Sequence, residues 1–371
     1  MNIGILKEPI GENRVSALPE MVANFIKLNV TMMVESGAGN AAFASDDDYK
    51  KAGATIHSRE EVLSQSDILL SITQPTENNF KSKAIILGVF QPLFNFQLMK
   101  EWASKGYTTF SMDTIPRTTR AQSMDVLSSQ ANIAGYKAVL LAATTYSRYF
   151  PMFMTAAGSI TPAKMLILGA GVAGLQAIAT AKRLGAVVEV FDTRPAVKEE
   201  VMSLGAKFVE VEGAADASKA GGYAVEQTEE FLQKQKQKIA ESAAKADIII
   251  STAQIPGKKA PILITKEMIA NMKSGSIIVD LASVTGGNTE YTKNNETVVV
   301  NNVSIIGNSN LPSMQSSDAS KMYGKNIYNF LKLIIDKDGQ INLNFEDDLV
   351  KGTCITHDGN IVNERTAQLL A

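Results

Sequence analysis

Short apolar runs alternate with amphipathic stretches over the first 115 residues. The runs Asn2–Leu6, Val30–Glu35, Ile68–Ile72, Ala84–Val89 and Tyr107–Ser111 are bounded by polar residues, Gly or Pro and predict strands. Between them, Leu18–Leu28 and Leu93–Lys105 predict helices. A long helical stretch follows over 121–148, and its small and apolar residues predict a buried spine. A second alternation begins at Met165, with strands expected at Met165–Leu168, Val187–Phe191, Lys207–Glu210, Asp247–Ser251, Ser276–Leu281 and Val303–Ile306. Strands alternating with helices imply parallel sheets covered on both faces.

Two segments break this rhythm. Glu212–Gln237 begins Gly- and Ala-rich, as a mobile loop would, and ends in a Gln/Lys/Glu-rich run that predicts a solvated helix. After a polar stretch, Gly307–Ser320, an amphipathic helix is expected from about Asp318 to Ile335, returning to the first domain because no strand follows it. The fold class is therefore α/β, with two Rossmann-like doubly wound domains and predominantly parallel sheets. The expected domains are 1–130 plus 318–371, discontinuous, and 131–317, with a mobile loop at about 212–230.

Length and composition agree with two ordinary globular domains: 371 residues, 45% hydrophobic and 20% charged. A net charge of −2 offers no broad footprint for nucleic acid or anionic lipid. The single cysteine, Cys354, rules out an internal disulfide and suggests a reducing compartment. The N-terminus lacks the pattern of a secretory signal, and no run approaches the roughly 18–20 apolar residues of a membrane helix. A cytoplasmic chain with no direct membrane insertion is expected.

The main chemical motif lies at the first turn of the second alternation. Gly169-Ala170-Gly171-Val172-Ala173-Gly174 follows an apolar strand and opens the helical run Leu175–Leu184. Gly169 suits a tight turn, Gly171 a close backbone approach to pyrophosphate, and Gly174 helix–strand packing. The helix N-terminus then offers free N–H groups to phosphate oxygens. Asp192 ends the next strand at the expected distance of about 20 residues. Its carboxylate suits the ribose hydroxyls of NAD(H) and repels the 2′-phosphate of NADP(H). Arg194, two residues on, reads the other way as a phosphate ligand; Asp192 weighs more because it acts on the discriminating group.

Several further stretches carry a resemblance that spans essentially the whole chain. They include Gly4-Ile5-Leu6-Lys7-Glu8, Glu12-Asn13-Arg14-Val15, Gly37-Ala38-Gly39, Pro116–Asp125 and Ala131–Tyr136. Gly221-Gly222-Tyr223-Ala224, Ile255–Pro261 and Asp280-Leu281-Ala282 complete the set with the dinucleotide turn. In these the chain resembles the alanine dehydrogenase/transhydrogenase superfamily, and within it the NAD(H)-binding subunits of proton-translocating transhydrogenases. The resemblance implies an Si/Re-specific exchange of hydride between NADH and NADP⁺ held on a partner subunit. It also implies a homodimer, with NAD(H) in the cleft between its domains. NADP(H)-binding and membrane-spanning partner subunits would hold it peripherally on the cytoplasmic face of the inner membrane.

The resemblance also assigns residues. Gln122 would reach the nicotinamide ribose, Arg117 and Asp125 would pair and orient the loop, and Ser128 would belong with them. Read without it, Arg117 and Asp125 are equally charges at a helix start. Gly169, Ala170, Gly171, Val172, Gly174, Asp192, Thr193, Arg194, Ala253 and Leu281 would contact the cofactor. Gly222 and Tyr223 would belong to a lid that excludes water; by sequence alone the segment also reads as a flexible insertion.

Alanine dehydrogenase is the rival reading. Such an enzyme needs a cation for the substrate carboxylate and an acid/base group, which in that branch the resemblance assigns to a Lys and a His. Here Gln74 stands near the Lys position, and no His lies between His57 and His357. Arg14 remains a possible anion ligand or a scaffold residue. Hydride exchange between nicotinamides needs no proton donor, only apposed rings in a dry site. No Cys/His pattern suggests a metal. Asp46-Asp47-Asp48 reads as an acidic first turn of a helix.

Overall fold

The computed structural model describes residues 1–211, 228–255 and 257–369. The chain divides into two compact units, Met1–Gln130 with Pro312–Ala371, and Ala131–Leu311. Among the described residues the strands of the first half are β1 (Asn2–Ile5), β2 (Thr31–Glu35), β3 (Thr55–His57), β4 (Ile68–Leu70), β5 (Ile85–Gly88) and β6 (Thr108–Ser111). A hairpin follows, β7 (Phe153–Thr155) and β8 (Gly158–Ile160). Then come β9 (Lys164–Leu168), β10 (Val187–Phe191), β11 (Lys207–Phe208), β12 (Ile248–Ser251), β13 (Ile277–Asp280), β14 (Glu296–Val300) and β15 (Val303–Gly307). Near the C-terminal end are β16 (Cys354–His357) and β17 (Asn360–Ile361).

In the first unit the parallel order is β3-β2-β1-β4-β5-β6, and β16 and β17 extend it antiparallel beyond β6. In the second unit the parallel order is β11-β10-β9-β12-β13-β15, with β14 antiparallel at the edge. Each parallel set has the doubly wound order of a dinucleotide-binding fold, with its reversal between β1 and β4 or between β9 and β12. The central strands carry apolar residues to both faces because helices cover both. Ile248, Ile249 and Ile250 are all fully buried, on alternating sides of the sheet.

Four features differ from the sequence expectation. The stretch over 121–148 is not one helix: a 3₁₀ turn, Thr119–Met124, precedes the helix Val126–Thr145. The hairpin β7–β8, the edge strand β14 and the pair β16–β17 have no counterpart among the expected strands. Their residues are largely exposed or few, so they lack the continuous apolar run that marks a central strand.

Local chemistry fixes the helix starts. Ser45 and Asp48 form a capping box at helix Asp46–Lys51, and Ser58 and Glu61 form another at Arg59–Gln65. Of the Asp46–Asp48 triplet, Asp46 accepts from the Gly37 N–H and Ser36 hydroxyl, Asp47 pairs with Lys50, and Asp48 caps. Helix Glu229–Ala243 buries one stripe at four-residue spacing, Phe231, Gln235, Ile239 and Ala243, and leaves its Lys residues exposed. Helix Ser316–Ile334 completes the first unit's core by burying Tyr323, Ile327, Phe330, Leu331 and Ile334. No helix among the described residues is long and apolar enough to cross a membrane.

Candidate functional site

The three motif glycines of the second unit meet three different environments. Gly169 has φ +101°, and a Cβ there would fall 2.4 Å from Thr252 Oγ1. A Cβ on Gly174 would fall 1.9 Å from the carbonyl oxygen of Gly169, so only glycine lets the helix Val172–Arg183 approach the turn. A Cβ on Gly171 would meet nothing within 4 Å. Its lack of a side chain therefore serves no packing within the protein and leaves a cradle open at the helix N-terminus, which Val172 begins. Such a cradle fits a pyrophosphate.

Asp192 closes the turn from the next strand. Its Oδ2 accepts the Ala170 N–H at 2.7 Å, and its Oδ1 accepts the Arg194 N–H at 2.8 Å. The Arg194 side chain also returns to it, through Nε at 2.9 Å and Nη2 at 2.8 Å. Burial opposes the Arg194 charge, but its hydrogen bonds to Asp192 outweigh this and raise the guanidinium pKa. In sequence, Asp192 reads as a bare carboxylate and Arg194 as a competing phosphate ligand. The structure joins them into one ion pair, which weakens the repulsion of a 2′-phosphate by Asp192. Thr193 lies between them, half-buried.

Ala253 and Leu281 follow the carboxyl ends of β12 and β13. Gln254 Nε2 donates to the Leu281 carbonyl at 2.8 Å, and Thr252 Oγ1 donates to the carbonyls of Leu168 and Gly169 at 3.2 and 3.3 Å. These residues thus share one end of the sheet with the glycine turn. Gly222 and Tyr223, and the rest of the expected lid over 212–227, lie outside the described residues.

In the first unit, Asp125 accepts the Ser128 N–H at 2.9 Å and the Ser128 hydroxyl at 2.6 Å, tying the start of helix Val126–Thr145. Arg117 and Gln122 are exposed. The segment carrying them is held from beneath. Ala121 and Met124 are buried, Asn326 and Asn329 donate to the Ser123 carbonyl at 2.9 and 3.0 Å, and Arg120 forks onto Asp347 and pairs with Asp348. Gln122 is therefore offered on a fixed backbone.

The first unit also settles where Arg14 points. Its Nε and Nη2 grip Glu12 at 2.8 and 2.6 Å, and its Nη1 donates to Gln130 Oε1 at 2.8 Å. Both side chains are nearly buried, at 11% and 6% exposed. Burial alone would raise the Glu12 pKa, but the bonds and charge of Arg14 hold it below its ordinary 4.5. Beside it, Glu8 accepts from the N–H groups of Ile72 and Thr73 and the Thr73 hydroxyl, while burial pushes its pKa up. With Gln74, Glu8 lines a cavity of only about 20 Å³. His57 and His357 bond to Thr55 and Thr108 at 2.8 and 3.1 Å. Sequence reasoning missed Glu12 and Gln130 as the partners of Arg14, and missed Asn288 and Asp280 behind Ala253. The Gly286-Gly287 pair just before Asn288 was the one local signal available.

Comparisons with known proteins agree with this architecture. Residues 4–134 match the alanine dehydrogenase/PNT N-terminal domain, and residues 138–364 match the alanine dehydrogenase/PNT C-terminal domain. A Rhodospirillum rubrum protein named as an NAD(P) transhydrogenase subunit alpha is 46% identical over 376 residues, spanning 98% of each chain. The crystal structure of transhydrogenase from Sinorhizobium meliloti superposes with a TM-score of 0.89 at 43% identity, covering 97% of this chain and 100% of that one. An alanine dehydrogenase of Mycolicibacterium smegmatis is more distant, 26% identical over 374 residues, or 96% of this chain and 93% of that one. With both domain types matched in order along almost its whole length, the chain belongs to the alanine dehydrogenase/PNT family.

Proposed function

We propose that this chain is the NAD(H)-binding subunit of an Si/Re-specific, proton-translocating transhydrogenase. It passes hydride from C4 of NADH to C4 of NADP⁺ held by a partner subunit, leaving NAD⁺ and NADPH. The observation that carries the reading is the glycine turn. Gly169 and Gly174 are required by packing inside the protein, whereas Gly171 is not, and its open cradle fits a dinucleotide pyrophosphate. Asp192 and Arg194 would meet the adenosine ribose, with Ala253 and Leu281 along the remainder of the nucleotide. Gln122 would orient the nicotinamide ribose, with Arg117, Asp125 and Ser128 shaping the loop beneath it.

The chain's own work in this reaction is to bind, orient and exclude water, because hydride exchange moves no separate proton. Proton translocation and membrane attachment belong to NADP(H)-binding and membrane-spanning partners, which would place this subunit on the cytoplasmic face of the inner membrane. A homodimer is part of the same proposal. The relatives named above support the assignment. The alanine dehydrogenase reading fares worse: Arg14, the cation best placed to bind a substrate carboxylate, is engaged by Glu12 and Gln130.

The test mixes the purified chain with NADH, an NADP⁺ analogue of distinct absorbance, and the soluble NADP-binding domain of a bacterial transhydrogenase. Transfer that needs both proteins is expected. No transfer, with NADH binding demonstrated and a partner of proven competence, overturns the proposal.

A further inference from the structure

We propose that Asn288 is a positioning residue for dinucleotide binding, holding the loop after β12 in the form the cofactor meets; this rests on the NAD(H) reading above. Asn288 is fully buried. Its Oδ1 accepts the Ala253 N–H at 3.1 Å, while its Nδ2 donates to the Ala253 carbonyl at 2.9 Å and to the Pro261 carbonyl at 2.9 Å. One side chain thus satisfies both the donor and the acceptor of the same loop residue. A carboxamide can do this because it carries an acceptor and two donors; a carboxylate at neutral pH cannot.

Asn288 is itself held. Its N–H donates to Asp280 Oδ2 at 2.6 Å, and its carbonyl accepts from Leu263 and Ile264 at 2.9 and 3.0 Å. Asp280 also takes the Thr292 hydroxyl at 2.6 Å and the Ala282 N–H at 3.0 Å. The approach depends on Gly287, at φ +81°, where a Cβ would fall 2.4 Å from Thr292 Cβ and 2.8 Å from Asp280 Oδ2.

The consequence reaches the glycine turn. Thr252, next to Ala253, bonds to Leu168 and Gly169, and Gln254 bonds to Leu281. The loops after β9, β12 and β13 are therefore tied together where the sheet order reverses, the place where ligands bind in this class of fold. Asn288 touches none of the residues assigned to nucleotide phosphate or ribose. It acts through Ala253.

The full chain is titrated with NADH, following fluorescence, as wild type, Asn288→Ala and Asn288→Asp. Ile249→Val, on the opposite face of the sheet, serves as a control for lost stability. Both Asn288 variants are expected to raise the NADH Kd, and the KM in coupled transfer, about tenfold. Their kcat at saturating NADH should stay within about threefold of wild type, and Ile249→Val should bind as wild type does. Unchanged NADH affinity in either Asn288 variant overturns the inference and leaves the NAD(H) reading standing. A wild type that binds no NADH removes both. Should the variants not fold, hydrogen exchange on the wild type decides. Protection of the Ala253 amide before NADH is added supports a preset loop, and protection that comes only with NADH overturns it.

Discussion

Gln122 and Arg14 present opposite cases of a polar side chain in the first unit. Gln122 is exposed on a segment whose backbone is pinned by Asn326, Asn329 and Arg120. If it orients the nicotinamide ribose, Gln122→Ala should lower the transfer rate at least about tenfold and change NADH affinity less than about threefold, a split that steady-state and binding assays separate. Arg14 has no such freedom. Arg14→Ala leaves Glu12 ionised, buried and unpaired, so unfolding by urea should show a loss of about 3–5 kcal/mol. Removing both side chains should recover much of that loss. The pair also sets a pH response. Near pH 4.5 the unfolded chain takes up a proton on Glu12 that the folded chain still refuses. The pair's stabilisation is therefore present above about pH 4.5 and is lost as pH falls through the depressed folded value. The fall in melting temperature from pH 6 to pH 3 should be shallower in a Glu12→Gln/Arg14→Gln variant. Cys354 is another buried case: burial pushes its thiol up to about 12, so an aromatic disulfide reagent should label it only after unfolding.

The glycine turn is the element where sequence and structure can be compared most sharply. The spacing of Gly169, Gly171, Gly174 and Asp192 was legible because each position carries a constraint no neighbour can satisfy for it. What could not be read were the partners. Arg194 turning back on Asp192, Glu12 closing on Arg14, and Asn288 reaching Ala253 across 35 residues are set by tertiary packing and leave no periodic mark. The same limit explains the strands. Central ones such as β12, buried on both faces, read as continuous apolar runs, whereas the edge strands β14 and β17 face water and do not. The turn makes a paired prediction. Gly171→Ala should fold with nearly wild-type stability and bind NADH at least about tenfold more weakly, because its Cβ meets only the space reserved for pyrophosphate. Gly174→Ala should lose about 1–3 kcal/mol or more of stability, because its Cβ collides with a backbone carbonyl. Equal thermal stability in the two variants would contradict this account.

At the scale of the whole molecule, the discontinuous first unit governs which fragments can fold. Residues 1–130 supply β1–β6 but not the helix Ser316–Ile334, whose Tyr323, Phe330 and Leu331 are fully buried in that core, nor β16, which covers the β6 edge. A fragment ending at Gln130 should therefore show strand-rich circular dichroism without a cooperative thermal transition, and should bind a dye specific for exposed apolar surface. Supplying residues 312–371 as a separate chain should restore some cooperativity if the missing core is the cause.

That discontinuity also has a meaning in time. A ribosome completes 1–130 first, then makes the nucleotide unit 131–311, and only afterwards delivers the residues that finish what came first. At about 5–20 residues per second the interval is about 10–40 s. Throughout it, the early segment must wait beside a neighbour that can already close, with the apolar groove meant for Tyr323 and Phe330 open to solvent. Nascent-chain holding by a chaperone is thus a demand written into the order in which the chain is made.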